Sequence, residues 1–427
     1  TRAMIAEIAQ LRAEKAALLG YASYSDYALH DQMAKNGATA RGFLARLAPA
    51  LARTQARQVA EMAALIGKEG GDASVKPWDW ERYADRIQAQ KLAFDAGSAK
   101  PYFEINKVME DGVFYAANRL YGLTFERRSD IPVYQEDVRV YTVRDADGKE
   151  LALFYWDPWK RDNKQGGAWM SNFVGQSTLL GLKPVVFNVE NFAKPAAGQP
   201  LLVNFDDVVT MFHEFGHALH GMLSNQRLPS LSGANTARDF VEFPSQFNEN
   251  WATHPEVLAH YAKHYQTGAA MPEAMVAKLK ELRRVDQGYA LGESTASAML
   301  DLDWHALPAG APRQDVDAFE AKALAATGLD TTHVPPRYRT SYFRHIWANG
   351  YASAYYVYLW AEVLEADGFQ AFVQSGDIFE PGLARKLKDH IFTRGNAEPP
   401  MQAYEAFMGR PPRVDALLRQ RGLGTGA

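Results

Sequence analysis

The sequence predicts a mainly α-helical fold with a small antiparallel β-sheet set into it. Three observations carry this prediction. Apolar residues recur at helical spacing up to about residue 128 and again from Asn204 almost to the end. Between residues 131 and 190 the period shortens to two. Residues 208–223, VVTMFHEFGHALHGML, read as one buried helix that nevertheless carries two histidines and an acid close together.

Composition sets the class. The 427 residues are 47% hydrophobic and 22% charged, which is ordinary for a globular chain with a sizeable core. A net charge of -4 without a long basic run argues against nucleic acid or an anionic membrane as partner. No apolar run reaches the ~18 residues that span a bilayer, and TRAMIAEIAQLRAEK at the start is an amphipathic helix without a signal-peptide pattern, so a soluble chain is expected. With no cysteine, disulfides, thiolate nucleophiles and Cys-ligated metals are excluded, and His and carboxylates are left as ligands. Absence of thiols suits the cytoplasm, the expected compartment, and suits the periplasm as well.

In chain order, Ala-, Leu- and Gln-rich runs such as residues 38–68 form a helical scaffold over residues 1–130, stopped by Glu69-Gly70-Gly71 and punctuated by Lys76-Pro77-Trp78-Asp79-Trp80. A small sheet region follows over residues 131–190. There Val138, Val140 and Thr142 alternate with charged or aromatic residues, Asp147-Gly148 supplies a hairpin turn, and residues 151–156 return as the partner strand. A second pair of short strands runs through Gly166-Gly167-Ala168-Trp169 and residues 183–188. Small residues at Gly167 and Ala168 let a substrate backbone approach an edge strand and pair with it, although a β-bulge explains them as well. Residues 191–427 are a second helical region, broken by prolines at 229, 272, 308–312, 335–336 and 399–400.

The chemistry concentrates in His213-Glu214-Phe215-Gly216-His217. Histidines four apart on a helix lie one turn and about 40° apart, so both imidazoles can grip one ion, here expected to be a single Zn²⁺. Glu214 falls in the adjacent sector, placed to take a proton from a water at that ion, as in the HExxH arrangement of zinc peptidases. A third ligand is needed. The spacing that would supply a third histidine six residues on is absent, since position 223 is Leu and position 220 is His, so a carboxylate from another helix is expected. Glu242 and Glu249, seven apart in RDFVEFPSQFNENW, share a helical face, and spacing favours Glu242 as the ligand while leaving Glu249 open. His220 lies about 4.5 Å further along the axis than His217 and reads as a packed histidine. Tyr351, Tyr355 and Tyr358 follow Gly350 at i, i+4 and i+7, presenting phenols on one helical face as candidate donors to a developing oxyanion.

These motifs together resemble the thimet oligopeptidase-like zinc metallopeptidases: FHEFGHALH at 212–220, RDFVEFPSQ at 238–246, ENW at 249–251 and GYASAYYVYLW at 350–360. PWDW at 77–80, GGAWM at 166–170, FTRGN at 392–396 and LLRQRGL at 417–423 are similar to the bacterial dipeptidyl carboxypeptidase branch. The resemblance implies a helical zincin-type peptidase, one continuous peptidase domain overall, with a deep channel that admits short peptides and releases C-terminal dipeptides or, alternatively, cuts internally. It implies His213, His217 and Glu242 as zinc ligands, Glu214 as base, Tyr358 as main oxyanion donor with Tyr355 helping, His345 near the reacting carbonyl, and Arg238 and Tyr351 as substrate contacts. Ala348 and Asn349 stand where the family is richer in glycine. Family members also carry a helical region before the point where this sequence starts. A missing N-terminal segment that completes the channel, and that acts as a partner for this chain, is therefore expected; without it the chain either shows weak activity or only binds zinc and peptide.

Overall fold

A computed structural model describes residues 1–282 and 284–423. The principal helices are α1 Arg2–Leu18, α2 Gly37–Lys68, α3 Phe205–Met222, α4 Arg238–Ala252, α5 Gln287–His305 and α6 Val357–Ser375. The strands are β1 Thr124–Arg128, β2 Arg139–Arg144, β3 Glu150–Trp159, β4 Trp169–Val174 and β5 Val185–Phe192. Two compact units result, one from Thr1–Ala93, Leu282–Trp360 and Asp415–Ala427, the other from Phe94–Glu281 and Ala361–Val414. Neither is a single stretch of sequence.

The described residues of the first unit form helices and the loops that join them, with no strand among them. Its packing centres on α1, α2 and α5, with Ile5, Ala9, Leu300 and Trp304 in one apolar cluster and Met62, Ile66, Trp80 and Val334 in another. Asn36 caps α2 by accepting the Thr39 N–H at 2.8 Å.

The second unit holds the sheet, in the order β1-β2-β3-β5-β4. The Asp147-Gly148 turn joins β2 to β3, and Gly148 takes φ +80, which the missing Cβ permits at no steric cost. One pairing corrects the expectation of an antiparallel sheet: β3 and β5 run parallel, Leu153 opposite Val185 through Asp157 opposite Val189. Alternation reveals which residues share a face, but not which strand lies alongside. Here β4 passes to the outer edge and β5 returns between it and β3, which makes the sheet mixed. The first strand, at residues 124–128, also lies inside the stretch that reads as helical.

Helix α3 lies on this sheet and also meets α4, and glycines make both approaches possible. An Asn204–Asp207 capping box starts the helix, with Asp207 N–H on Asn204 Oδ1 at 2.8 Å and Asn204 N–H on Asp207 Oδ2 at 3.0 Å. Phe215 packs edge-on against Phe154 of β3 at 5.3 Å. A Cβ on Gly221 would come within 2.9 Å of Val186, so the bare position lets β5 sit close. On the α4 side, a Cβ on Gly216 would meet Pro244 O and Ser245 Cα, each at 2.7 Å. Those are backbone atoms and cannot swing aside. Asn248 then stitches the helices by donating its side-chain N–H to Phe212 O at 2.6 Å. Gly216→Ala is therefore expected to lose about 1–3 kcal/mol of stability by overpacking and to weaken metal binding, because α4 must withdraw. Denaturant unfolding and a chelator-competition titration check this, and an alanine protein unchanged in both contradicts it.

Candidate metal centre

The α3–α4 contact brings three donors together. His213 Nε2 and His217 Nε2 stand 3.3 and 3.2 Å from Glu242 Oε2, and among the described residues these three offer ligand atoms that all lie within 4.8 Å of one another. The imidazole rings are 5.0 Å apart and nearly perpendicular, so both edges turn to one point. Glu242 is aimed by Ser245, whose hydroxyl lies 2.8 Å from Glu242 O and 3.2 Å from its Oε2. Glu249, one helical repeat further on, takes a different part: its Oε1 is 2.9 Å from Nδ1 of His213. A carboxylate on Nδ1 holds that proton and leaves Nε2 as the free lone pair, the usual way a ligating imidazole is oriented.

Electrostatics at this cluster favour a cation. Burial would raise the Glu242 carboxyl, but attraction to His217 and hydrogen bonds from both rings win and hold it well below the usual carboxylate range. Burial would likewise lower His213, yet the hydrogen bonds to Glu242 and Glu249 outweigh it and raise the imidazolium well above its ordinary value. Two imidazoles and a carboxylate around one positive charge form a donor set that fits a divalent metal, and three ligands leave a coordination position for substrate chemistry.

Glu214 sits beside this group with different properties. It is 4% exposed, and its Oε2 has no protein partner. Burial pushes its carboxyl up, and Glu242 and Glu249 push the same way against the two histidines. A carboxyl with an unengaged oxygen and a raised pKa is suited to exchange protons. Behind it lies a feature that the sequence reading missed: Glu190 of β5 is fully buried, accepts the Trp156 indole N–H at 3.1 Å, and is pushed well up by burial and by the charge of Glu214. The signal was available, since Val186, Asn188, Glu190 and Phe192 share one face of a buried strand and two of them are polar.

Other expected site residues are distributed as follows. Gly167 takes φ +93 just ahead of β4, its carbonyl accepting from the Asn191 side chain at 2.6 Å, and Ala168 leads into that edge strand. Arg238 is the exposed first residue of α4. His345, Tyr351, Tyr355 and Tyr358 belong to the first unit, apart from the metal-ligand candidates of the second. Within that unit their rings cluster: His345 and Tyr355 at 5.4 Å, Tyr355 and Tyr358 at 5.5 Å, Tyr351 stacked on Tyr358 at 5.6 Å. A cavity of about 280 Å³ is lined by Ser294, Arg337, Tyr338, His345, Tyr355 and Tyr358, with Leu359 closing it. The helix carrying the tyrosines starts only at Val357, later than the spacing suggests, so Tyr351 and Tyr355 stand on a turn.

The model of Peptidase family M3 matches residues 1–423. The chain belongs to that family. Membership in a metallopeptidase family implies a metal cofactor, and this M3 chain supplies a donor set for one. It is 48% identical over 424 residues to the dipeptidyl carboxypeptidase of Escherichia coli (strain K12), covering 99% of this chain and 62% of that protein. Oligopeptidase A of the same organism is 35% identical over 422 residues, with 98% and 62% covered. The chain thus spans 62% of the length of these relatives. Among solved structures, a Pyrococcus furiosus carboxypeptidase superposes with a TM-score of 0.53 at 13% identity, covering 99% of this chain and 73% of that one, a likeness of fold. No helix among the described residues of this M3 chain is long and apolar enough to cross a membrane.

His220 packs beyond the ligand candidates on the same helix. Fully buried between Phe240 and Phe392, it is pushed down to about 3 by burial and then by His217. A depressed folded value means that neutral His220 stabilises the fold above the unfolded pKa of about 6.5, and that this contribution is lost progressively as pH falls from there toward about 3. In metal-stripped protein, His220→Leu should flatten the loss of stability between pH 6 and 4 by up to about 1.4 kcal/mol per pH unit, one proton's worth. Equal slopes in the two proteins contradict the assignment.

Proposed function

We propose that this chain is the catalytic part of a zinc peptidase that removes dipeptides from the C-terminus of short peptides. The observation that carries the reading is the convergence of His213, His217 and Glu242 beside the unengaged oxygen of Glu214. In this reading the two histidines and Glu242 hold one Zn²⁺, and Glu249 fixes the His213 tautomer. When bound, the zinc supplies a Lewis acid that polarises the scissile carbonyl and acidifies water beside it. Glu214 accepts the proton at its free oxygen and returns it to the departing amine; its raised pKa favours that exchange. The assignment of Tyr358, with Tyr355, to the carbonyl oxygen as it gains negative charge, of His345 to the same neighbourhood, and of Arg238 and Tyr351 to substrate rests on the family motifs at 238–246 and 350–360. Gly167 and Ala168 leave the approach to edge strand β4 open to an extended peptide.

Identity of 48% to a dipeptidyl carboxypeptidase against 35% to an oligopeptidase A favours dipeptide release over internal cleavage. A cytoplasmic enzyme acting on short peptides, with a further N-terminal segment as a partner that lines the substrate path, completes the proposal.

Mass spectrometry of a short-peptide digest tests it. Dipeptides should appear stepwise from the C-terminus, vanish with a chelator, return with zinc and be abolished by C-terminal amidation of the substrate. Glu214→Gln should keep its zinc and lose on the order of 10²–10⁴-fold in kcat, because an amide cannot accept the proton. Internal fragments from amidated peptides would replace this reading with an oligopeptidase, and a zinc-loaded Glu214→Gln protein of normal turnover would remove Glu214 from the chemistry.

A further inference from the structure

The turn that carries Tyr351 and Tyr355 is held in an unfavourable shape by a buried acid. Ser353, at φ +61, lies in the left-handed region, where a side chain costs roughly 1–2 kcal/mol. Such a residue persists only when its surroundings impose the conformation. Here they do. Asp301, on α5 and 0% exposed, spreads its two oxygens over two backbone donors: Oδ1 takes the Ser353 N–H at 2.8 Å, and Oδ2 takes the Tyr355 N–H at 2.9 Å. The Ser353 hydroxyl is fixed in turn, 2.7 Å from that of Ser25.

The same carboxylate is the end of a short relay. His305 Nδ1 lies 2.8 Å from Asp301 Oδ1, and His305 Nε2 lies 2.8 Å from Arg12 Nη1. Arginine can only donate, so His305 Nε2 accepts and Nδ1 carries the proton that Asp301 accepts. Arg12 Nη1 also donates to Ile346 O at 2.7 Å. One chain of hydrogen bonds, Arg12 to His305 to Asp301, therefore grips the segment at Ile346, next to His345, and again at Ser353 and Tyr355. Its positive and negative ends balance, which removes the cost of an isolated buried carboxylate. All of these residues lie within one unit. Between the two grips the segment closes on itself through Tyr351 N–H to His345 O and Ala354 N–H to Tyr351 O.

We propose that Asp301, oriented by His305 and Arg12, is a positioning residue that sets the backbone of residues 345–355 and thereby the placement of the His345 and Tyr355 side chains for catalysis. The proposal rests on the reading of Tyr355 given above. Asp301 touches no substrate in it; the residue acts through the turn, on the chemical step and not on substrate capture.

Asp301→Asn preserves shape but sets an NH₂ group against one of the two backbone N–H donors. Its kcat should fall on the order of 10²-fold, as for a reacting group displaced by about 1 Å, with KM within about twofold. Amide hydrogen exchange over residues 345–358 should accelerate, with zinc content unchanged. Adding Ser353→Gly, which makes the positive φ free of strain, should restore about tenfold of the lost kcat. A carboxylate that merely packs α5 would not be rescued by a glycine in the turn. If Asp301→Asn does not fold, Arg12→Met carries the same test, since it keeps the length of the side chain but removes the Nη1 donor shared by His305 and Ile346. Tyr355→Phe serves as control. Impaired Tyr355→Phe together with fully active, folded Asp301→Asn or Arg12→Met overturns the positioning role and leaves the proposed function standing. Fully active Tyr355→Phe removes the tyrosine reading itself.

Discussion

The closeness of two helices at Gly216 is the constraint on which the candidate metal centre depends. A four-residue histidine spacing turns two imidazoles to one side of α3, but two ligands on one helix do not define a site. The third donor has to come from α4, and it reaches them only because nothing projects from Gly216 toward Pro244 and Ser245. The same contact sets Glu249 against the far nitrogen of His213 and ties Asn248 to the α3 backbone. Donor geometry, tautomer and interhelical packing are consequences of one missing side chain.

Around that point the charges are arranged unequally. Three carboxyl groups, Glu214, Glu242 and Glu249, lie about two imidazoles, and the burial of Glu214 and Glu242 keeps out water that would screen these two. Glu242 and Glu249 find imidazole partners in His213 and His217. Glu214 keeps one oxygen unengaged and a raised pKa. Glu214 is thus set apart from Glu242 and Glu249 by what touches it, since all three are the same residue type.

Much of this was legible in the sequence, for identifiable reasons. Helix periodicity and the HExxH spacing are local, and so the helix that carries His213, Glu214 and His217 could be read directly. Helical phase put Glu242 and Glu249 on one face but could not say which meets the ring edges, because that depends on where α4 crosses α3. Strand alternation located the sheet yet missed the parallel β3–β5 neighbour, a matter of chain path. The tyrosine spacing suggested one continuous helix; a buried carboxylate 50 residues earlier instead binds the Ser353 and Tyr355 amides, and the helix begins at Val357. Glu190 and Asp301 escaped notice for one reason: a lone acid in an apolar segment acquires its meaning from groups remote in sequence.

His213, His217 and Glu242 are the proposed ligands of a single zinc ion. A crystal structure of the zinc-loaded protein, with anomalous data on either side of the zinc absorption edge, tests it most directly. One anomalous peak per chain is predicted, bonded to Nε2 of both histidines and to a Glu242 oxygen at about 2.0–2.2 Å, with Glu249 on His213 Nδ1 and out of bonding range. A peak coordinated by Glu249 in place of Glu242, or no peak between the two imidazoles at full zinc occupancy elsewhere, would contradict it.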